Sequence, residues 1–116
     1  MNTILIVDDH PSFRATARVL LEAEGFEVVG EAADGAAAVE LAGRLTPDIV
    51  LLDVHLPDMD GFEIATRLHA NSHRPKIVLT SSRDAAEFGG LIGRSPVRGF
   101  VPKSELSGPR LAALVV

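Results

Sequence analysis

Several side chains in this sequence could do chemistry together. Asp8 and Asp9 stand side by side after the apolar run Thr3–Val7, and Asp53 follows a second run, Asp48–Leu52. The hydroxyls of Thr80, Ser81 and Ser82 end a third run that begins at Lys76, and Lys103 follows a fourth, Arg98–Val101, with Pro102 between. Three crowded carboxylates repel one another, which disfavours their charged forms unless a cation compensates. For oxygen ligands the natural compensator is a hard divalent ion, Mg2+ first. A lysine and a hydroxyl facing the same point would bind an anion. Carboxylates, Mg2+ and a lysine together fit phosphoryl transfer, where catalysis is mostly positioning and charge neutralisation. Asp53 is then the candidate nucleophile, forming an aspartyl phosphate.

The elements that must hold these groups follow from the alternation of apolar runs with amphipathic stretches. Thr3–Val7 and Asp48–Leu52 read as strands buried on both faces, and Glu27–Gly30, Lys76–Thr80 and Arg98–Val101 bring the strands to five. Pro11–Glu24 places Phe13, Ala17, Leu20 and Leu21 at helical spacing, with Gly25 as its C-cap. Asp34 caps an Ala-rich helix to about Leu45, which Thr46-Pro47 stops. Residues 57–61 form a turn cluster in which Asp58 and Asp60 serve as turn and N-cap residues. Phe62–Ala70 is helical, Asp84–Ile92 is a weak helix because Gly89 and Gly90 lower its propensity, and a last helix runs from about Pro109 to the end. Five strand–helix units in alternation predict an α/β fold: a doubly wound, parallel five-stranded sheet with right-handed crossovers and the flavodoxin-like order 2-1-3-4-5. Strands one, three, four and five are then neighbours, and their carboxyl ends bring the acids, the hydroxyls and Lys103 together.

Composition bounds the alternatives. With 116 residues, 47% hydrophobic and 23% charged, the chain reads as one globular domain over residues 1–116. The absence of cysteine removes disulfides, thiolate metal sites and Cys nucleophiles together. No apolar run approaches the roughly 18 residues that span a bilayer, and no signal-peptide pattern opens the sequence, so a cytoplasmic domain away from membranes is expected. The net charge of −5 argues against direct nucleic-acid binding. Residues 1–63 carry 13 acids and 3 Lys or Arg, net −10, whereas residues 64–116 carry 3 acids and 8 Lys or Arg, net +5. His10, His55, His69 and His73 are scattered and suggest no metal box. Arg67, His69, His73, Arg74 and Lys76 read as a solvated face.

Three motifs carry a family resemblance: residues 4–10 (ILIVDDH), residues 51–61 (LLDVHLPDMDG) and residues 99–103 (GFVPK). In this order and at these spacings, the chain resembles the receiver domain of two-component response regulators over nearly its whole length. The resemblance implies that Asp53 is the phosphoacceptor, that Asp9 ligates Mg2+ directly with Asp8 acting mainly through water, and that the backbone carbonyl of His55 completes the protein ligands. It also implies that Lys103 pairs with the phosphoryl group and that Phe100 is the aromatic switch. Intervals from both Lys103 and Asp53 select Ser81 as the switch hydroxyl, although the local pattern would favour Thr80. His55 and Arg83 are candidates for influencing phosphoryl hydrolysis.

The implied partner is a sensor histidine kinase or a histidine phosphotransfer protein, with a downstream protein target and a monomer or phosphorylation-linked dimer. Self-phosphorylation and slow dephosphorylation are expected, not turnover of a substrate. The competing reading is a Mg2+-dependent phosphohydrolase, but such enzymes carry a second acid where His55 stands. A flavin carrier on the same fold would need a phosphate loop where Asp8-Asp9-His10-Pro11 stands. Within the receiver reading a stand-alone domain is expected, the alternative being the receiver part of a longer DNA-binding regulator.

Overall fold

The computed structural model describes residues 2–116. Strand β1 (Thr3–Val7) shows why the apolar runs lack polar alternation. Its residues are buried on both faces of the sheet, Ile4 and Ile6 in one core and Leu5 and Val7 in the other. Strands β3 (Ile49–Asp53) and β4 (Lys76–Ser81) divide in the same way. With β2 (Glu27–Ala32) and β5 (Gly99–Pro102) at the edges, the five parallel strands lie in the order β2-β1-β3-β4-β5. This is the expected doubly wound topology.

Helices α1 (Pro11–Ala23) and α5 (Gly108–Leu114) cover one face. There Ala17, Leu21 and Leu111 meet Ile4, Ile6, Ile49, Leu51 and Val78. Helices α2 (Gly35–Leu45) and α3 (Gly61–His69) cover the other, setting Ala38, Ala42, Ile64 and Leu68 against Leu5, Val7, Val50, Leu52 and Leu79. Full burial of each large aliphatic side chain stabilises the fold by about 1.5–3 kcal/mol, so the central strands anchor whatever their ends carry. Among the described residues no helix is long and apolar enough to cross a membrane.

The helix starts follow local chemistry. Asp34 accepts from the Ala37 N–H at 2.8 Å, Asp60 from the Glu63 N–H at 2.8 Å, and Ser107 from the Arg110 N–H at 3.2 Å. Asp58 does more than turn the chain. Its two oxygens accept from the Gly35 and Ala36 N–H groups at 2.7 and 2.9 Å, tying the loop after β3 to the start of α2. Those donors hold its carboxyl below the ordinary range.

Two features depart from the sequence expectation. Strand β2 runs two residues further, to Ala32, and its pairing with β1 skips Val29, a bulge. The single weak helix expected over 84–92 is instead a 3-10 turn, Ala85–Phe88, followed by the short helix α4, Leu91–Arg94. Gly89 between them adopts φ 56°, which no helix continues through. Phe88 lies against His55, Phe62 and Phe100, with ring centroids 5.8, 5.8 and 5.7 Å away. Those contacts compete with a regular helical turn.

Candidate functional site

The parallel register brings the strand ends level. Val7 lies opposite Leu52, Asp53 opposite Thr80, and Ser81 opposite Pro102. The residue after β1, the last of β3 and the residue after β5 therefore meet at one end of the sheet. Asp8 is fully buried and Asp53 is only 3% exposed, whereas Asp9 is exposed at the rim.

Lys103 bridges the two buried acids. Its ammonium lies 2.6 Å from Asp8 Oδ2 and 3.4 Å from Asp53 Oδ2, and also over the ring of Phe13, 4.6 Å from its centre. Asp53 Oδ1 accepts from the His55 N–H at 3.2 Å. The loop that follows is fixed by its backbone: Val54 N–H donates to Thr80 O at 3.0 Å, and Gly61 N–H donates to Val54 O at 2.7 Å. A side chain at Gly61 would strike the backbone, since its Cβ would lie 2.7 Å from Asp53 O. Helix α3 therefore rests directly on the chain that carries Asp53.

Burial, then the nearby charge of Asp8, pushes the Asp53 carboxyl above its ordinary value, against the pull of the His55 N–H and Lys103. One cation thus serves two buried carboxylates without fully compensating them. Asp8 Oδ2 accepts no hydrogen bond of good geometry despite full burial; its only compensation is ionic. A small hard cation beside Asp8, Asp9 and Asp53 fits this donor set, which is all oxygen and short of positive charge. The carboxylate oxygens and one nitrogen of His10 lie within 4.8 Å of one another.

His10 was set aside in the sequence as one of four scattered histidines, yet its ring belongs to this cluster. Its Nδ1 lies 3.1 Å from both Asp8 Oδ1 and Asp9 Oδ1, and its backbone N–H donates to Asp8 Oδ1 at 2.8 Å. The available signal was its adjacency to the acid pair in a loop that the sheet topology directs to the site. The ring of His55 packs against Phe88, with 5.8 Å between centroids.

The hydroxyls differ. Thr80 Oγ1 donates to Val101 O at 2.7 Å inside the sheet, whereas Ser81 Oγ, also buried, accepts from the Arg83 N–H at 3.1 Å in the loop beyond the strand. Phe100 is partly buried on the α2 and α3 face, beside Phe88. A cavity lined by His69, Arg74, Lys76 and Arg98, of about 280 Å³, includes residues at the opposite ends of β4 and β5.

Comparison with known proteins bears on the family and the fold. The description of the response regulator receiver domain matches residues 4–114. The chain is 39% identical over 117 residues to a Pseudomonas aeruginosa protein provisionally named a transcriptional regulator, covering all of this chain and 56% of that one. It is 34% identical over 116 residues to the transcriptional regulatory protein PdtaR of Mycobacterium tuberculosis, covering 92% of this chain and 57% of the relative. The signal receiver domain of a modulated diguanylate cyclase from Desulfovibrio desulfuricans superposes with a TM-score of 0.86 at 32% identity, over 99% of this chain and 90% of that one. The chain spans about half the length of the curated relatives it matches. A match that runs almost from end to end, on a shared fold and at these identities, places the chain in the receiver-domain family of two-component response regulators.

Proposed function

We propose that this domain accepts a phosphoryl group on Asp53 from the phosphohistidine of a sensor kinase or a histidine phosphotransfer protein. The observation that carries the reading is Lys103 held between two buried carboxylates at the carboxyl end of the sheet, 2.6 Å from Asp8 and 3.4 Å from Asp53. In the transfer an Asp53 carboxylate oxygen attacks phosphorus, the bond to the histidine nitrogen breaks, and its electron pair returns to the imidazole. Asp8, Asp9, Asp53 and the His55 carbonyl would hold Mg2+, which when bound neutralises charge on the phosphoryl oxygens. Lys103 would leave Asp53 for the phosphoryl group, whose added charge of roughly −2 it can meet through a charge-assisted hydrogen bond.

Ser81 is favoured over Thr80 as the switch hydroxyl, since Thr80 already spends its proton on Val101 O within the sheet. Phe100 is the aromatic partner of that switch. To move the active fraction from 1:99 to 99:1, phosphorylation must favour the active arrangement by about 5.5 kcal/mol. The test is incubation with Mg2+ and a small phosphodonor, read by intact mass and phosphate-affinity gel. Wild type gains one phosphoryl group; Asp53→Asn gains none. Equal labelling of the two would sink the assignment.

A specific observation favours one reading of the output. The Pseudomonas aeruginosa and Mycobacterium tuberculosis relatives are about twice the length of this chain, and both carry transcriptional-regulator names. The domain then acts as the phosphorylation-controlled half of a transcriptional regulator. A stand-alone receiver that signals by protein contact is the alternative. The length of the protein in its own cell extract, read by immunoblot against this domain, separates the two.

A further inference from the structure

Arg14 reaches the acid site through the backbone. From the first turn of α1 its Nη1 donates to the Asp8 carbonyl at 2.6 Å, and its Nε donates to Glu31 Oε1 at 3.0 Å. Its own backbone N–H donates to His10 O at 3.1 Å. One residue therefore grips both ends of the segment Asp8–His10. Glu31 lies on β2, opposite Ile6 of β1, and its other oxygen is held by Arg18 at 2.8 Å. Burial works to raise the Glu31 carboxyl, but the hydrogen bonds and charges of Arg18 and Arg14 outweigh it and leave it below the ordinary range. The Arg14 side chain is only 18% exposed, which sets it apart from the i,i+4 surface pairs Arg44–Glu40, Arg67–Glu63 and Arg83–Glu87.

We propose that Arg14 is a positioning residue of the phosphoacceptor site: by fastening the Asp8 carbonyl to Glu31 of β2, it presets Asp8 and Asp9 for the divalent cation. This rests on the metal-assisted reading given above. A guanidinium suits the task because its planar fork satisfies a carbonyl and a carboxylate at once, which an ammonium does not. Groups that orient metal-ligating residues commonly matter 10–100-fold in affinity.

Charge alone predicts the opposite sign. Arg14 is a cation near a cation site, so removing it without any role in positioning would tighten metal binding. The experiment measures Mn2+ binding to the full chain by the electron paramagnetic resonance of free Mn2+, in wild type, Arg14→Gln and Arg14→Lys. Metal-free folding of each is checked by circular dichroism. The expected result is affinity about tenfold weaker in Arg14→Gln and intermediate in Arg14→Lys, which keeps the charge but loses the fork. Unchanged or tighter Mn2+ binding in folded Arg14→Gln overturns the proposal. Should that variant fail to fold, Arg14→Lys decides, and wild-type affinity there overturns it equally. A wild-type chain that binds no Mn2+ overturns the metal reading itself, an outcome distinct from failure of the clamp alone.

Discussion

Replacing Lys103 by methionine removes the one ammonium shared by Asp8 and Asp53, and with it the contact over the Phe13 ring, while keeping an unbranched apolar stem. The lysine side chain is 15% exposed and its partners are almost wholly buried, so solvent cannot take its place. Breaking a buried ion pair by deleting one partner costs about 3–5 kcal/mol. The lower end applies, because Asp53, whose carboxyl already sits above its ordinary value, can take up a proton and relieve part of the repulsion. A loss of about 3 kcal/mol corresponds to a melting temperature lower by roughly 12 °C for a chain of 116 residues. Far-UV circular dichroism in chelator at pH 7 measures it, a suitable probe for a chain without Trp or Tyr. Two controls locate the cause. Millimolar Mg2+ should restore much of the loss by supplying the missing charge, and the deficit should narrow toward pH 4 as the carboxylates protonate. A variant that melts within about 4 °C of wild type, with no recovery in Mg2+, refutes the view that Lys103 neutralises these acids.

Asp53→Asn should change the pH dependence of metal-free stability. A carboxyl raised in the folded state contributes stability that is complete below its unfolded value of 3.8 and lost as pH rises through the folded value. The variant should therefore gain on wild type between about pH 4 and pH 7, and parallel urea-unfolding profiles would contradict this. Gly61→Ala places a Cβ 2.7 Å from Asp53 O and 2.8 Å from Val54 Cα. It should cost about 1–3 kcal/mol and slow phosphorylation of Asp53, measured by chemical denaturation and by phosphodonor labelling. Asp34→Ala removes the N-cap bond to Ala37 at the start of α2 and should cost about 1 kcal/mol while labelling proceeds at the wild-type rate.

The central strands were legible because burial on both faces leaves a continuous apolar run, as in Ile4–Val7 and Ile49–Leu52. The convergence of Asp8, Asp53 and Lys103 followed from one topological rule, since Asp8 and Asp53 follow or end such runs and Lys103 follows the edge strand β5 at the same end of the sheet. What stayed hidden depends on contacts with no local signature. Asp58 looked like a turn residue, and nothing nearby announces that it serves α2, 22 and 23 residues earlier in the chain. Arg14 carries no local signature on α1, because its partner Glu31 is brought beside it only by β2. Around Phe88, weak helical propensity was visible in Gly89-Gly90, but the three rings that meet it come from a loop, helix α3 and strand β5. His10 shows that a residue's neighbours in sequence can matter more than its failure to match a spacing rule.

The two edge strands limit how copies of this domain can meet. An open sheet edge offers unpaired N–H and C=O groups to any passing strand, the starting point of edge-to-edge aggregation. On one side the bulge at Val29 and the exposed carboxylate of Glu27 spoil a straight template. On the other, β5 is four residues long and ends in Pro102, which has no N–H to give. Backbone pairing between copies is disfavoured at both borders, so a strand of one copy finds no ready template on another.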